Sequence, residues 1–155
     1  MSTMDDRWVA FLIVDDRTGA LTAATECFST RGVSFESVNT LDVHEGRGVL
    51  AFVFAGTERL ARVLMRTLQR LASVREVRVC SAADPDVRAM AHATIPADAG
   101  AIAETARDAD ADVIPVGAHA AIVTGSLAAV EHVTDAFRDA GANDVARIVL
   151  PPVWE

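Results

Sequence analysis

Two segments of this chain carry residue types and spacings that could do chemistry. The first is Asp15-Asp16-Arg17-Thr18-Gly19-Ala20-Leu21, read together with Ser29-Thr30-Arg31-Gly32-Val33-Ser34-Phe35-Glu36-Ser37. The apolar run Trp8–Val14 leads into it. A helical period at Leu21, Ala24 and Phe28 leads out and stops at Gly32, where an extended run begins. A strand, a glycine turn and a helix in this order leave backbone N–H groups free at the helix start, beside the edge of the next strand. Such a place can hold the carboxylate of a small ligand. The second segment is the arginine series 59, 62, 66, 70, spaced i, i+3, i+7, i+11 opposite a Leu/Val face. A solvated helix face explains it; a docking face for an acidic partner surface is the alternative.

The rest of the catalytic inventory is short. All fourteen basic residues are arginine and there is no tyrosine. That excludes a phosphate-loop lysine, a pyridoxal Schiff base, a lysine general base and a phenolic acid. The four histidines (44, 92, 119, 132) lie neither three nor four residues from one another, nor close to a cysteine, so no zinc spacing is present and no metal ligand is assigned. His44-Glu45 reads as an exposed hairpin tip. His132 and Asp135, one helical turn apart, read as a surface pair. Gly125-Ser126 could suggest a nucleophile, but a helix N-cap explains that serine. Asp15-Asp16 could bind a metal or act as a base pair; solvated carboxylates at a strand end are the plainer reading. Cys27 and Cys80 follow no CxxC or metal spacing and read as small hydrophobes. No catalytic residue is assigned. A small enzyme dependent on His119 or Asp16 stays open as an alternative, because scaffolds of this type host many chemistries.

The bulk properties set the frame for these residues. The chain has 155 residues, 51% of them hydrophobic, enough for one compact domain or two small ones. No apolar run reaches the roughly 20 residues of a membrane span. The opening Met-Ser-Thr-Met-Asp-Asp lacks the basic and apolar regions of a signal peptide, so a cytoplasmic location is expected, with no membrane partner. The net charge of −8 argues against a nucleic-acid partner. The charge is uneven: residues 57–80 carry six arginines against two glutamates, and residues 84–155 carry four arginines against twelve acids.

The elements that must position these residues can be read in order. Residues 8–15 form a near-continuous apolar strand, expected to be buried on both faces. Residues 20–31 form a helix. Residues 33–43 alternate, with Val33, Phe35, Leu41 and Val43 on one face and Ser34, Glu36, Thr40 and Asp42 on the other. Glu45-Gly46-Arg47-Gly48 turns the chain into a returning strand, 49–55. Thr57 caps a helix burying Leu60, Val63, Leu64, Leu68 and Leu71, and 74–80 is a last strand. This βαββαβ order is the ferredoxin-like unit. After a linker at 82–88 the order repeats more faintly: strand 89–95 ended by Pro96, helix 99–108 around Ile102 and Ala106, hairpin 112–116/119–123, helix 126–140 ended by Gly141, and strand 144–150. Strand, glycine and hydroxyl cap recur at Gly56-Thr57 and Gly125-Ser126. The sequence thus reads as an α+β chain of two tandem ferredoxin-like units, 1–81 and 89–155. The first has the better core; the weak apolar content of 89–110 suggests that the second leans on a partner.

The segment Arg17-Thr-Gly-Ala-Leu21, followed by Cys27-Phe-Ser-Thr-Arg-Gly32-Val-Ser-Phe-Glu-Ser37, resembles the ACT domain, and more narrowly the regulatory (small) subunit of acetolactate synthase. Arg88–Ile95, Val113-Ile-Pro-Val116, Ile122-Val-Thr-Gly125 and Val145-Ala-Arg147 resemble that family's C-terminal domain. The resemblance implies a non-catalytic subunit that binds a large catalytic subunit dependent on thiamine diphosphate and Mg, raises its activity, and confers inhibition by a branched-chain amino acid. The chain itself would bind no cofactor. It implies a homodimer through the edge strand 33–43, with an amino-acid effector at the ACT junction held by Asp16, Arg17, Thr18, Gly19, Ala20, Leu21, Ser34 and Phe35. Asp16 and Ser34 stand where the family pattern has asparagine. A stand-alone ACT-type amino-acid sensor is the alternative reading.

Overall fold

The computed structural model describes residues 6–95 and 100–154. The elements follow in the order β1 (Asp6–Asp15), α1 (Ala20–Thr30), β2 (Phe35–His44), β3 (Arg47–Gly56), α2 (Glu58–Gln69), β4 (Val74–Ser81), β5 (Arg88–Thr94), α3 (Gly100–Asp108), β6 (Asp112–Val116), β7 (Ala120–Ser126), α4 (Leu127–Asp139) and β8 (Val145–Val149). The chain divides into two units, Met1–Ala82 and Ala83–Glu155. Each holds one four-stranded antiparallel sheet, β2-β3-β1-β4 in the first and β6-β7-β5-β8 in the second. Two successive βαββαβ units make an α+β chain, as the sequence predicts. The strand stop at Pro96 and the helix start at Ala99 lie outside the described residues.

The first unit is built on a large-residue core. Val9 to Val14 are all buried, on both faces of β1, as their continuous apolar run predicts. Ala10, Leu12 and Val14 pack with Leu50, Phe52 and Phe54 of β3, with Phe28 of α1, and with Ala61, Leu64 and Leu68 of α2. Phe28 lies at the centre, stacked on Phe52 at 4.8 Å and edge-on to Phe35 and Phe54. Thr57 caps α2, its hydroxyl accepting from the Leu60 N–H at 3.2 Å. Leu60 on this helix and Leu71, two residues past its end, are half-buried against the core, and Val63 is half-buried too.

The β2–β3 hairpin closes through two residues, Glu45 and Gly46, between the paired His44 and Arg47. Both have positive φ (49° and 74°), the twist that suits a two-residue hairpin loop. Strand β2 departs from the simple alternation expected of it. Its register against β3 shifts twice, between Phe35 and Ser37 and between Thr40 and Asp42. Each shift adds a residue and exchanges the faces. Phe35 and Val38 therefore both pack on the core, and Thr40 and Val43 line one cavity with Leu50.

The second unit faces its helices with small residues. Ala89, Ala91 and Ala93 of β5 and Ala121 of β7 are buried. A Cβ on Gly125 would meet Ala111 and Ala129 at 3.4–3.5 Å, which identifies the helix-facing side of β7. The large buried residues come mainly from the helices: Ile102 of α3, and Leu127, Val130, Val133 and Phe137 of α4. Pro115 sits in β6, an edge strand, where a residue without an N–H is tolerated. No helix among the described residues is long and apolar enough to cross a membrane.

Candidate functional site

The glycine turn after β1 is held almost entirely by backbone. The Asp15 N–H donates to the Ser73 carbonyl at 2.7 Å and the Asp16 N–H to the Gly46 carbonyl at 2.9 Å. These bonds tie the turn to the α2–β4 loop on one side and to the hairpin on the other. Arg17 N–H donates back to Asp15 O at 2.9 Å, and Ala20 N–H to Arg17 O at 3.2 Å. Gly19 then takes a left-handed conformation, φ 88°, which an L side chain rarely adopts. No side chain caps α1, so beyond the Ala20 bond to Arg17 O the first turn presents a positively polarised helix end without a side-chain cap.

Two cavities flank this turn. One, of about 150 Å³, has apolar walls from Val14, Ala20, Leu21, Val43 and Leu50, with Thr40 on β2 and Asp15, Asp16 and Arg17 at the turn. The other, of about 360 Å³, lies between Arg17–Ala20 with Ala23 and the loop Leu71–Ser73. Arg17 and Ala20 border both. The two neighbouring acids differ: Asp15 is in an ion pair with Arg75 of β4, and the exposed Asp16 has no ion pair among the described residues.

Six of the eight residues expected at an effector site therefore stand together, Asp16 to Leu21. Ser34 and Phe35 do not join them within the chain. They lie at the other end of β2, where Phe35 pairs with Phe54, itself opposite Trp8 near the start of β1. Phe35 belongs to the aromatic cluster, with its ring 5.6 Å from that of Phe52. Sequence reasoning missed Thr40, Val43, Gly48 and Leu50 as cavity residues. Thr40 and Val43 reach the cavity only through the register shift between them, and a bulge leaves no mark in an alternating pattern.

The remaining candidates take structural positions. Ser126 caps α4, its Oγ accepting from Ala129 N–H at 3.2 Å. Asp135 pairs with Arg138 at 2.8 Å, not with His132, because the arginine one turn on carries a full charge and a longer reach. His44 and Glu45, 3.6 Å apart, stand exposed at the hairpin tip. Cys27 is buried and Cys80 half-buried, both as free thiols. Burial pushes the Cys27 thiol pKa up, against the pull of Arg31 and with a smaller push from Glu26. No group of three or more potential metal ligands occurs among the described residues.

No protein-family model matches the chain, and no curated protein does. Solved structures do. The acetolactate synthase small subunit of Thermotoga maritima superposes with a TM-score of 0.67 at 18% identity, over 96% of this chain and 98% of that one. The ligand-free regulatory subunit of aspartate kinase from Thermus thermophilus superposes with a TM-score of 0.50 at 17% identity, over 85% of this chain and 93% of that one. At these identities the likeness is one of fold. The ACT-type layout read from residues 17–37 and its faint repeat in the second half are thus borne out as fold, and the chain shares along nearly its whole length the two-unit architecture of an acetolactate synthase small subunit.

Proposed function

We propose that this chain is a non-catalytic regulatory subunit of an acetolactate-synthase-like, thiamine-diphosphate-dependent enzyme, with a small amino-acid effector site at a junction between two copies. The observation that carries this reading is the likeness to the acetolactate synthase small subunit over both units, with neither chain left substantially uncovered. The residues at the turn agree with it. An uncapped helix start, a glycine at positive φ and an apolar-walled cavity suit the carboxylate and side chain of a small amino acid. The cavity of about 150 Å³ opens beside β2, so a second chain laid along that strand would add a wall to it. Strand β2, at the sheet edge beside this cavity, offers the unpaired backbone for such a junction. Thiamine diphosphate and Mg belong to the catalytic partner in this reading.

The test is reconstitution. The purified chain, added to the acetolactate-synthase-type catalytic subunit of the same organism, is expected to bind it and raise its rate, and a branched-chain amino acid is expected to reverse the gain. A chain that changes no such enzyme's rate, yet gives saturable heat with a free amino acid, is instead a stand-alone sensor.

A further inference from the structure

Helix α2 carries Arg59, Arg62 and Arg66, and its C-cap Arg70 keeps a helical conformation; all four are exposed, on the side opposite the buried Ala61, Leu64 and Leu68. At 100° and 1.5 Å per residue the four fall within an arc of about 80° and span about 16 Å. Glu58 pairs with Arg62 at 3.3 Å. Arg59, Arg66 and Arg70 form no ion pair among the described residues. Arg31, at the end of α1, donates to Thr67 Oγ1 at 2.8 Å and adds a fifth guanidinium at the C-terminal end of the stripe.

Helix stability explains only part of this arrangement: Arg66 in the last turn and Arg70 at the C-cap suit the negative end of the helix dipole. Arg62 with Arg66, and Arg66 with Arg70, are like-charge i,i+4 pairs, which weaken a helix. Arg59 stands in the first turn, at the positive end of the dipole, where a cation is disfavoured. Beside the stripe lies a cleft of about 180 Å³ lined by Trp8, Ala61, Met65 and Val79 under the Glu58–Arg62 pair. The Trp8 indole is fixed there by its N–H bond to the Gly56 carbonyl at 2.9 Å. Cations flanking a half-open aromatic socket are the make-up of an interface hot spot. Outside residues 57–80 the chain carries eight arginines against twenty acids. Its distant field therefore repels an extended polyanion such as nucleic acid, and the local patch attracts within about a Debye length, ~10 Å. A compact acidic protein surface fits both conditions.

We infer that the α2 arginine face, with the Trp8–Met65 cleft as its apolar socket, docks an acidic surface of the catalytic subunit, an inference that rests on the regulatory-subunit reading. The experiment measures association of the full-length chain with that catalytic subunit at low and high salt, for the wild type and for the combined variant Arg59→Glu, Arg66→Glu, Arg70→Glu. The wild type is expected to associate more slowly as salt rises, and the variant, with an unchanged circular dichroism spectrum, to lose about tenfold or more in association rate at low salt. The milder Arg→Gln triple is expected to fall between them, and it decides the matter if the reversal variant misfolds. If the wild type binds and activates and folded variants do so within twofold, this docking face is wrong and the regulatory reading stands. If the wild type neither binds nor activates, the regulatory reading falls and this inference with it. Wild-type binding to single-stranded RNA that the variant loses would reassign the face to nucleic acid. A change of oligomeric mass in the variant would reassign it to a second copy of the chain.

Discussion

Arg75 on β4 closes an ion pair with Asp15 at the end of β1, Nε to Oδ1, across a strand pairing whose register shifts at Ile13 and Val14. The pair neutralises one of the two adjacent carboxylates and leaves Asp16, next to Arg17, as the unpaired carboxylate on the turn. A ligand carboxylate placed on the uncapped start of α1 would meet that charge at short range, and an ionised aspartate has no proton to donate to it. Asp16→Asn removes the repulsion and supplies a donor. It is expected to tighten binding of a branched-chain amino acid by about fivefold, ~1 kcal/mol at a partly solvated site. Calorimetric titration of the two proteins checks this; equal affinities would mean that Asp16 does not meet the ligand.

Phe28 is the residue on which the first unit's packing converges, fully buried and within 6 Å, centroid to centroid, of Phe35, Phe52 and Phe54. Its truncation removes a large apolar group and three ring contacts at once. Phe28→Ala is expected to cost about 3–5 kcal/mol. Leu21→Ala, almost two turns up the same helix and 43% exposed, is expected to stay within about 1 kcal/mol. Urea midpoints at an unchanged slope measure both. Comparable losses would show that α1 does not dock through Phe28.

How much of this could be read from the sequence depended on whether the controlling interaction was local. The double burial of β1 was legible because a run of apolar residues without alternation leaves few other options. The hairpin's place was legible from the glycines of Glu45-Gly46-Arg47-Gly48; its two-residue length was not, because nothing marks Glu45 for positive φ, and Arg47 and Gly48 belong to β3. The caps were legible because a hydroxyl after a glycine and before a helical period has one obvious use. The faces of β2 were not, since two bulges inside an alternating sequence exchange the faces without changing any residue type. The same bulges carry Thr40 and Val43 into the cavity. The Asp15–Arg75 pair joins residues sixty apart, and Asp135 had two basic neighbours one turn away, His132 and Arg138. Of the site, the turn itself was readable; its walls were not, because they come from strands whose register the sequence does not fix.

The two N-caps give a matched pair of tests, one in each unit. Thr57 and Ser126 accept from Leu60 N–H and Ala129 N–H at 3.2 Å in the same strand–glycine–cap–helix sequence. Thr57→Ala and Ser126→Ala each leave a helix-start donor without its side-chain partner. Each is expected to cost about 1 kcal/mol, and the corresponding glycine variants only a few tenths. For Ser126→Ala the rate of any reconstituted enzyme is expected to stay unchanged, since that hydroxyl is committed to the helix. Loss of rate without loss of stability would give the serine a chemical role after all.

The alkaline limb of stability is unusually simple here, because the chain has no lysine and no tyrosine. Above about pH 8.5 the thiol is the side-chain type that titrates before arginine. Burial raises the Cys27 pKa above its ordinary value, with Arg31 opposing and Glu26 adding to the rise. A group whose folded pKa lies above its unfolded one binds its proton more tightly in the native state. Its contribution is complete below the unfolded pKa and is lost as the pH climbs through the folded one. Stability should therefore begin to fall as the pH passes about 8.5–9 and keep falling until the buried thiol ionises. Cys27→Ala shifts the whole curve by the cost of its small cavity, but it also removes this titration, so the slope rather than the offset is the readout. Urea midpoints at half-unit steps between pH 7 and 10.5 are expected to show a flatter alkaline limb in the variant. The same burial predicts that Cys27 reacts slowly with a thiol reagent until the native state opens. An unchanged slope together with rapid labelling of Cys27 would mean that α1 does not hold this thiol against the core.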